Sequence, residues 1–176
     1  MGAYIIKPMP STPSTPSTPP ATGLNICCRY VSNAHMLLFV YGSLRRGFPN
    51  HYMLENSAYI GEFSTTDKYI MIGTRSKAFP YIIKNGVIDG AIPTQIVGEL
   101  YDVQPNTINR IDALEGHPHT YNRQLITVTN DTKNTDMFES YIYILENPII
   151  LDGIIKNIGS RFIIASCGDW ATFCNS

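Results

Sequence analysis

The sequence predicts an α+β domain built on a curled, partly closed sheet. Three observations point there. Short apolar runs of strand length recur along the chain. One segment alone has clear helical spacing at both its start and its stop. Helical segments are too few and too irregular for an alternating βαβ array.

Met36-Leu37-Leu38-Phe39-Val40-Tyr41 is a short apolar run that ends at Gly42, and its length and aromatic content suit a buried strand. Pro49 to Glu55 offers a weak helix. Tyr69 to Ile72 and Phe79 to Ile83 read as strands, and Asn85-Gly86 marks a hairpin turn. Val97 to Val103 alternates apolar and polar residues, as a half-buried strand does. Pro105-Asn106 starts the clearest helix. Its apolar stripe is Ile108, Ile111 and Leu114, and Gly116 with Pro118 stops it. Arg123 to Thr129 and Glu139 to Leu145 alternate like Val97 to Val103. Leu151 to Gly159 fits a helix, although its isoleucines fit a strand as well.

The chain has 176 residues, a net charge of -1, 44% hydrophobic and 15% charged residues. Its length suits one domain. Balanced charge argues against a nucleic-acid module, because a phosphate-binding surface needs a Lys/Arg excess. No apolar stretch approaches the roughly 20 residues needed to cross a bilayer, so no membrane partner is expected. The average hides two unlike parts. Residues 1–34 hold a triple Ser-Thr-Pro repeat from Ser11 to Pro19 and are expected to be a disordered tail. Residues 35–176 are expected to be the folded domain; every acidic residue lies there. Met1 to Met9 has one lysine and no apolar core of a secretory signal, so a cytoplasmic location is expected. Cysteines 27, 28, 167 and 174 form no C-x-x-C pattern, which gives no support to zinc or thioredoxin-type chemistry. Asn130-Asp131-Thr132 matches a glycosylation sequon without further support.

Two places could carry chemistry. At Phe39 to Gly47 a buried strand runs straight into Gly42-Ser43. Glycine there permits backbone angles that turn successive N–H groups outward together, forming a nest for a carboxylate or an oxyanion. An ordinary strand-to-loop turn is the competing reading. Arg45-Arg46 could attract an acidic substrate or simply solvate the loop. The second place is Glu115, on one helix face with Ile108 and Ile111. If those isoleucines point inward, Glu115 does too. Lost hydration and the negative helix end would then raise its pKa and poise it for proton transfer. A glutamate snorkelling to water is the alternative, and Asp112 is the competing acid. His117 and His119 could hold a metal, but no third ligand is evident. Tyr121 and Arg123 could reach a site near Glu115, or be a core aromatic and an exposed charge. Ser43 sits in no Gly-x-Ser-x-Gly elbow, so it is not read as a nucleophile.

Three motifs in order resemble the γ-glutamylcyclotransferase-like family, also called AIG2-like or BtrG-like. They are Phe39-Val40-Tyr41-Gly42-Ser43-Leu44-Arg45-Arg46-Gly47; Val97-Gly98-Glu99-Leu100-Tyr101-Asp102-Val103; and Ile111-Asp112-Ala113-Leu114-Glu115-Gly116 with Tyr121 and Arg123. Pro49-Asn50-His51 continues the first in the manner of the γ-glutamylamine cyclotransferase branch. Gly168-Asp169-Trp170 looks like the end of some bacterial members. The resemblance implies a small mixed β-barrel with a few flanking helices. It also implies a small γ-glutamyl substrate whose α-amine closes on the γ-carbonyl, giving 5-oxoproline and a free amine such as lysine from γ-glutamyl-ε-lysine. Carried over by position, Tyr41, Gly42, Ser43 and Leu44 would hold the γ-glutamyl group and Glu115 would be the acid/base. Tyr121, Arg123 and Asn50 would be secondary site residues. Neither a metal nor an organic cofactor is implied. The departures, Leu114 and Gly116-His117-Pro118-His119 at the presumed mouth, would bear on substrate choice. Another γ-glutamyl substrate (a dipeptide, glutathione or an acylated carrier) and a non-catalytic module on the same barrel are the alternatives.

Overall fold

The computed structural model describes residues 35–130 and 136–176. The expected tail at 1–34, Cys27, Cys28 and most of the sequon lie outside them. Among the described residues are eight strands and three α-helices: β1 (Met36–Val40), β2 (Ala58–Thr65), β3 (Tyr69–Thr74), β4 (Pro80–Lys84), β5 (Val97–Val103), α1 (Pro105–Glu115), β6 (Tyr121–Thr129), β7 (Met137–Leu145), α2 (Pro148–Ile155), β8 (Phe162–Ile164) and α3 (Trp170–Asn175). Pro49 to Glu55, read as a weak helix, holds only a 3-10 turn at His51–Leu54. Five strands close a barrel in the order β1-β5-β2-β6-β7, and β4-β3-β8 make a separate sheet. β1 joins β5 antiparallel and β7 parallel, so the barrel is mixed. This is the small mixed β-barrel with flanking helices that the resemblance implied.

β1, between β5 and β7, faces a core on each side. Leu38 and Val40 join a core with Ile108, Ile111 and Tyr143, while Phe39 and Tyr41 join a second core with Leu100, Ile142 and Trp170. A strand flanked by two cores must be apolar at every position, which is why Leu38-Phe39-Val40 reads as an unbroken run. β5 corrects the half-buried expectation for the same reason. Gly98, Glu99, Leu100 and Tyr101 are all buried. A Cβ at Gly98 would come within 2.5 Å of the Val40 carbonyl oxygen and 2.6 Å of the Phe39 ring, so only glycine lets β1 and β5 approach there.

Asn85-Gly86 is a turn, but not a hairpin. β4 pairs with β3, whereas the next strand, β5, belongs to the barrel. The actual hairpin joins β3 to β4 between Thr74 and Pro80, with Lys77 at a φ of 55°. Its tip reaches the functional cavity.

α1 forms as the spacing predicts. Pro105 opens it, and Gly116 closes it in the left-handed region (φ 65°, ψ 35°), its N–H donating to the Asp112 carbonyl. Ile108 and Ile111 are buried, but Leu114 is 43% exposed. The inward face therefore continues through Glu115, one position further on. The chain ends in a closing element: the Asp169 side chain accepts from the Ala171 N–H and caps α3, and Trp170 is fully buried.

Candidate active site

A cavity of about 420 Å³ opens where the end of β1, the loop after it, the β3–β4 hairpin tip and the C-terminus of α1 converge. Tyr41, Gly42, Ser43, Leu44, Asn50, Glu115 and Tyr121 all line it. The loop and Glu115, more than sixty residues apart in sequence, thus share one cavity. Arg123 does not line it.

The loop starts as a turn in which the Arg45 N–H donates to the Gly42 carbonyl at 3.0 Å. Ser43 and Leu44 are its central residues, and their N–H groups have no acceptor among the described residues. The geometry corrects the reason for Gly42. Its φ is not positive; the requirement is space, since a Cβ would stand 2.7 Å from both Cδ and Cγ of Pro80. Asn50 braces the turn: its N–H donates to the Ser43 carbonyl and its Nδ2 to the Ser43 Oγ, each at 2.9 Å. His51 Nδ1 lies 3.1 Å from the Leu44 carbonyl.

Arg45 neither attracts a substrate nor solvates the loop. It is 5% exposed and lies against Asp169 Oδ1 (2.6 Å), Glu62 Oε2 (3.3 Å) and Glu99 Oε1 (3.6 Å). Glu99 Oε2 also accepts from the Arg46 N–H at 3.0 Å and from the Tyr101 hydroxyl at 2.8 Å. The Arg46 guanidinium stacks 3.5 Å over the Tyr59 ring. These contacts tie the loop to the barrel wall and to the start of α3. Burial alone would raise the Asp169 pKa, but the Thr172 hydroxyl, Arg45 and the Ala171 N–H outweigh it and hold the carboxylate ionised.

Glu115 is treated in the opposite way. Burial pushes its pKa up from 4.5 to about 7. Its carboxylate has no hydrogen bond or ion pair among the described residues. Asp112, the competing acid, is fully engaged. Arg123 Nη1 donates to both of its oxygens (3.1 and 2.9 Å), and the Tyr143 hydroxyl donates to Oδ1 at 2.6 Å. Arg123 therefore holds the helix end to the barrel and is neither an exposed charge nor a cavity group.

Around Glu115 stand Tyr41, Tyr81, Tyr121 and Tyr143. The Tyr41 hydroxyl donates to the Tyr143 carbonyl at 2.8 Å. Burial, and then the charge of Glu115, raise the Tyr41 pKa, so this phenol stays protonated. Phe79, Pro80, Tyr81 and Tyr143 were not singled out from sequence. Phe79 precedes β4 and Pro80 and Tyr81 open it, with no local chemical signature, and Tyr143 is one of several strand tyrosines. His117 does not reach the mouth; its Nδ1 accepts from the Arg123 N–H at 3.2 Å. No cluster of three His, Cys, Asp or Glu able to hold a metal occurs among the described residues. No helix among them is long and apolar enough to cross a membrane.

Comparison with known proteins bears on the family and the fold. Residues 38–172 match the family model described as gamma-glutamyl cyclotransferase, AIG2-like. A protein of Methanocaldococcus jannaschii, provisionally named a gamma-glutamylcyclotransferase, is 41% identical over 107 residues, covering 60% of this chain and 81% of its own. A gamma-glutamylcyclotransferase family protein of Escherichia coli is 31% identical over 77% of this chain and 96% of its own length. Gamma-glutamylaminecyclotransferase A of Danio rerio is also 31% identical, over 60% of this chain and 66% of its own. The amine-type relative is thus no nearer than the general one. An aig2-like protein from Mus musculus shares the fold, with a TM-score of 0.54 at 24% identity over 66% of this chain and 82% of its own.

Proposed function

The chain belongs to the AIG2-like gamma-glutamyl cyclotransferase family, and from that premise we propose that it cyclises the γ-glutamyl group of a γ-glutamylamine to 5-oxoproline, releasing the amine. One observation carries this reading. Glu115 is a partly buried, unpartnered acid with a pKa of about 7, and it shares a cavity with the free N–H groups of Ser43 and Leu44.

The chemistry follows from those parts. The substrate's α-ammonium is no nucleophile until it loses a proton. The Glu115 carboxylate takes that proton, and near neutral pH a useful fraction of Glu115 is ionised. The α-nitrogen then attacks the γ-carbonyl carbon, forming a five-membered ring and a tetrahedral oxyanion. Collapse of the oxyanion breaks the bond to the amide nitrogen, which leaves with the proton returned from Glu115, while the ring nitrogen gives up its second proton and the released amine ends as an ammonium. No water is consumed. The Ser43 and Leu44 N–H groups stabilise a substrate oxygen that is charged or becomes so. Asn50 holds that turn in place through its hydrogen bonds to Ser43. Ring closure is intramolecular, so binding the glutamyl chain folded supplies much of the acceleration.

A non-catalytic module would have a filled cavity and a solvated Glu115. The open cavity and the raised pKa of Glu115 favour the enzyme. The test is 5-oxoproline release from γ-glutamylamines, including γ-glutamyl-ε-lysine, by the wild type and by Glu115→Gln. Activity should fall at least about a hundredfold in the variant, with the fold unchanged by circular dichroism. Full activity in Glu115→Gln would refute the assignment.

A further inference from the structure

Resting on the cyclotransferase reading, we propose that the amine released is an arylalkylamine without a carboxylate. Two features of the cavity point there independently.

The first is charge. Glu115 is the single formally charged side chain among the lining residues, and none of them is Lys, Arg or His. A γ-glutamyl amino acid carries a carboxylate one carbon from the scissile nitrogen. Every γ-glutamyl substrate brings the glutamyl α-carboxylate, which the free Ser43 and Leu44 N–H groups answer; the second carboxylate of a γ-glutamyl amino acid would lie near Glu115 with no lining cation to pair it. Cations on the flanking segments are engaged elsewhere. Lys77 donates to the Cys174 carbonyl, Arg75 to the carbonyls of Gly159 and Ser160, Lys84 pairs with Glu146, and Arg123 with Asp112. Arg110, one turn before Leu114, is exposed and does not line the cavity.

The second is the wall. Tyr121 is 8% exposed and stacks on Tyr81, with centroids 5.9 Å apart and planes at 15°. Tyr81 meets Phe79 edge to face at 5.3 Å, and Phe79 is 41% exposed. Exposure rises along this row, so an aromatic face runs from the cavity to its mouth. Leu114 adds another exposed apolar side chain to the same lining. Such a surface suits a flat apolar group extending from the amide nitrogen.

Three substrates separate the elements. γ-Glutamyl-phenethylamine and γ-glutamyl-phenylalanine differ only by a carboxylate, and γ-glutamyl-methylamine lacks the ring. The phenethylamide should show kcat/KM at least about tenfold above either of the others, read as 5-oxoproline formed. Phe79→Ala should reduce its advantage over the methylamide severalfold. Equal turnover of the phenethylamine and phenylalanine amides would overturn the carboxylate argument and leave the cyclotransferase reading standing. An undiminished ring preference in Phe79→Ala would overturn the aromatic argument alone. No 5-oxoproline from the three alongside turnover of γ-glutamyl-ε-lysine would overturn this inference and leave the cyclotransferase reading standing; none from any of the four would overturn both.

Discussion

Replacing Glu115 by glutamine should make the domain more stable at alkaline pH. Glutamine keeps the shape of the protonated side chain and removes the charge. In the unfolded chain a glutamate titrates near 4.5, whereas burial places Glu115 at about 7. Between those values the folded state holds a proton that the unfolded state has lost, so stability falls as pH rises. The loss is complete above the folded value. At about 1.4 kcal/mol per pH unit, the separation amounts to about 3 kcal/mol. Urea unfolding of both proteins from pH 4 to pH 9 reads this directly. The difference between them should be constant below pH 4.5. It should then shift in favour of the variant through neutrality and level off above pH 7 at about 3 kcal/mol. A difference that stays flat across the range would show that the Glu115 carboxylate is solvated, and the argument for its catalytic poise would fall with it.

The same titration should appear in the kinetics: kcat/KM for a γ-glutamylamine should rise with an acidic limb near pH 7, because the base form of Glu115 is required. Arg45→Met should destabilise the fold by about 3 kcal/mol or more in chemical denaturation, since it leaves Glu99 and Asp169 without their shared cation. Gly42→Ala should cost about 1–3 kcal/mol by the same assay, because Pro80, a rigid ring in β4, lies 2.7 Å from the new Cβ. It should also raise KM by displacing the Ser43 and Leu44 N–H groups.

The sequence made β5 to β7 and α1 legible through a local period, and β1, β3 and β4 through apolar runs of strand length that end at a glycine or at Asn85-Gly86. β2 was missed, and its burial shows why. Ala58, Tyr59 and Ile60 are exposed while Phe63, Ser64 and Thr65 are buried, so no single period runs through it. β8 has three residues, too few for any pattern. α3 depends on the Asp169 cap and a Trp170 that packs on Phe173, with ring centroids 5.3 Å apart. Its short sequence carries no amphipathic repeat. Within the site, Glu115 was readable from the Ile108–Ile111 face and Ser43–Leu44 from the strand-to-turn junction. Phe79, Pro80 and Tyr81 were not, because their place at the cavity depends on a hairpin that folds back from a different sheet. The role of Arg123 was equally hidden. Nothing in its strand signals that Asp112, eleven residues earlier, is its partner.

The contrast among the acids ties these readings together. Glu99 is answered by Arg45, the Arg46 N–H and the Tyr101 hydroxyl. Asp112 is answered by Arg123 and Tyr143, and Asp169 by Arg45, Thr172 and the Ala171 N–H. Glu115 alone among the described acids that are not exposed has no such answer. The omission is local, for the helix that carries it is pinned three residues earlier through Asp112. Pinning Asp112 fixes where Glu115 points, while leaving Glu115 unpaired keeps its pKa high. A partner for Glu115 would recover stability and lower that pKa. The domain thus gives up stability at the one carboxylate facing the cavity, where a proton must be taken and returned.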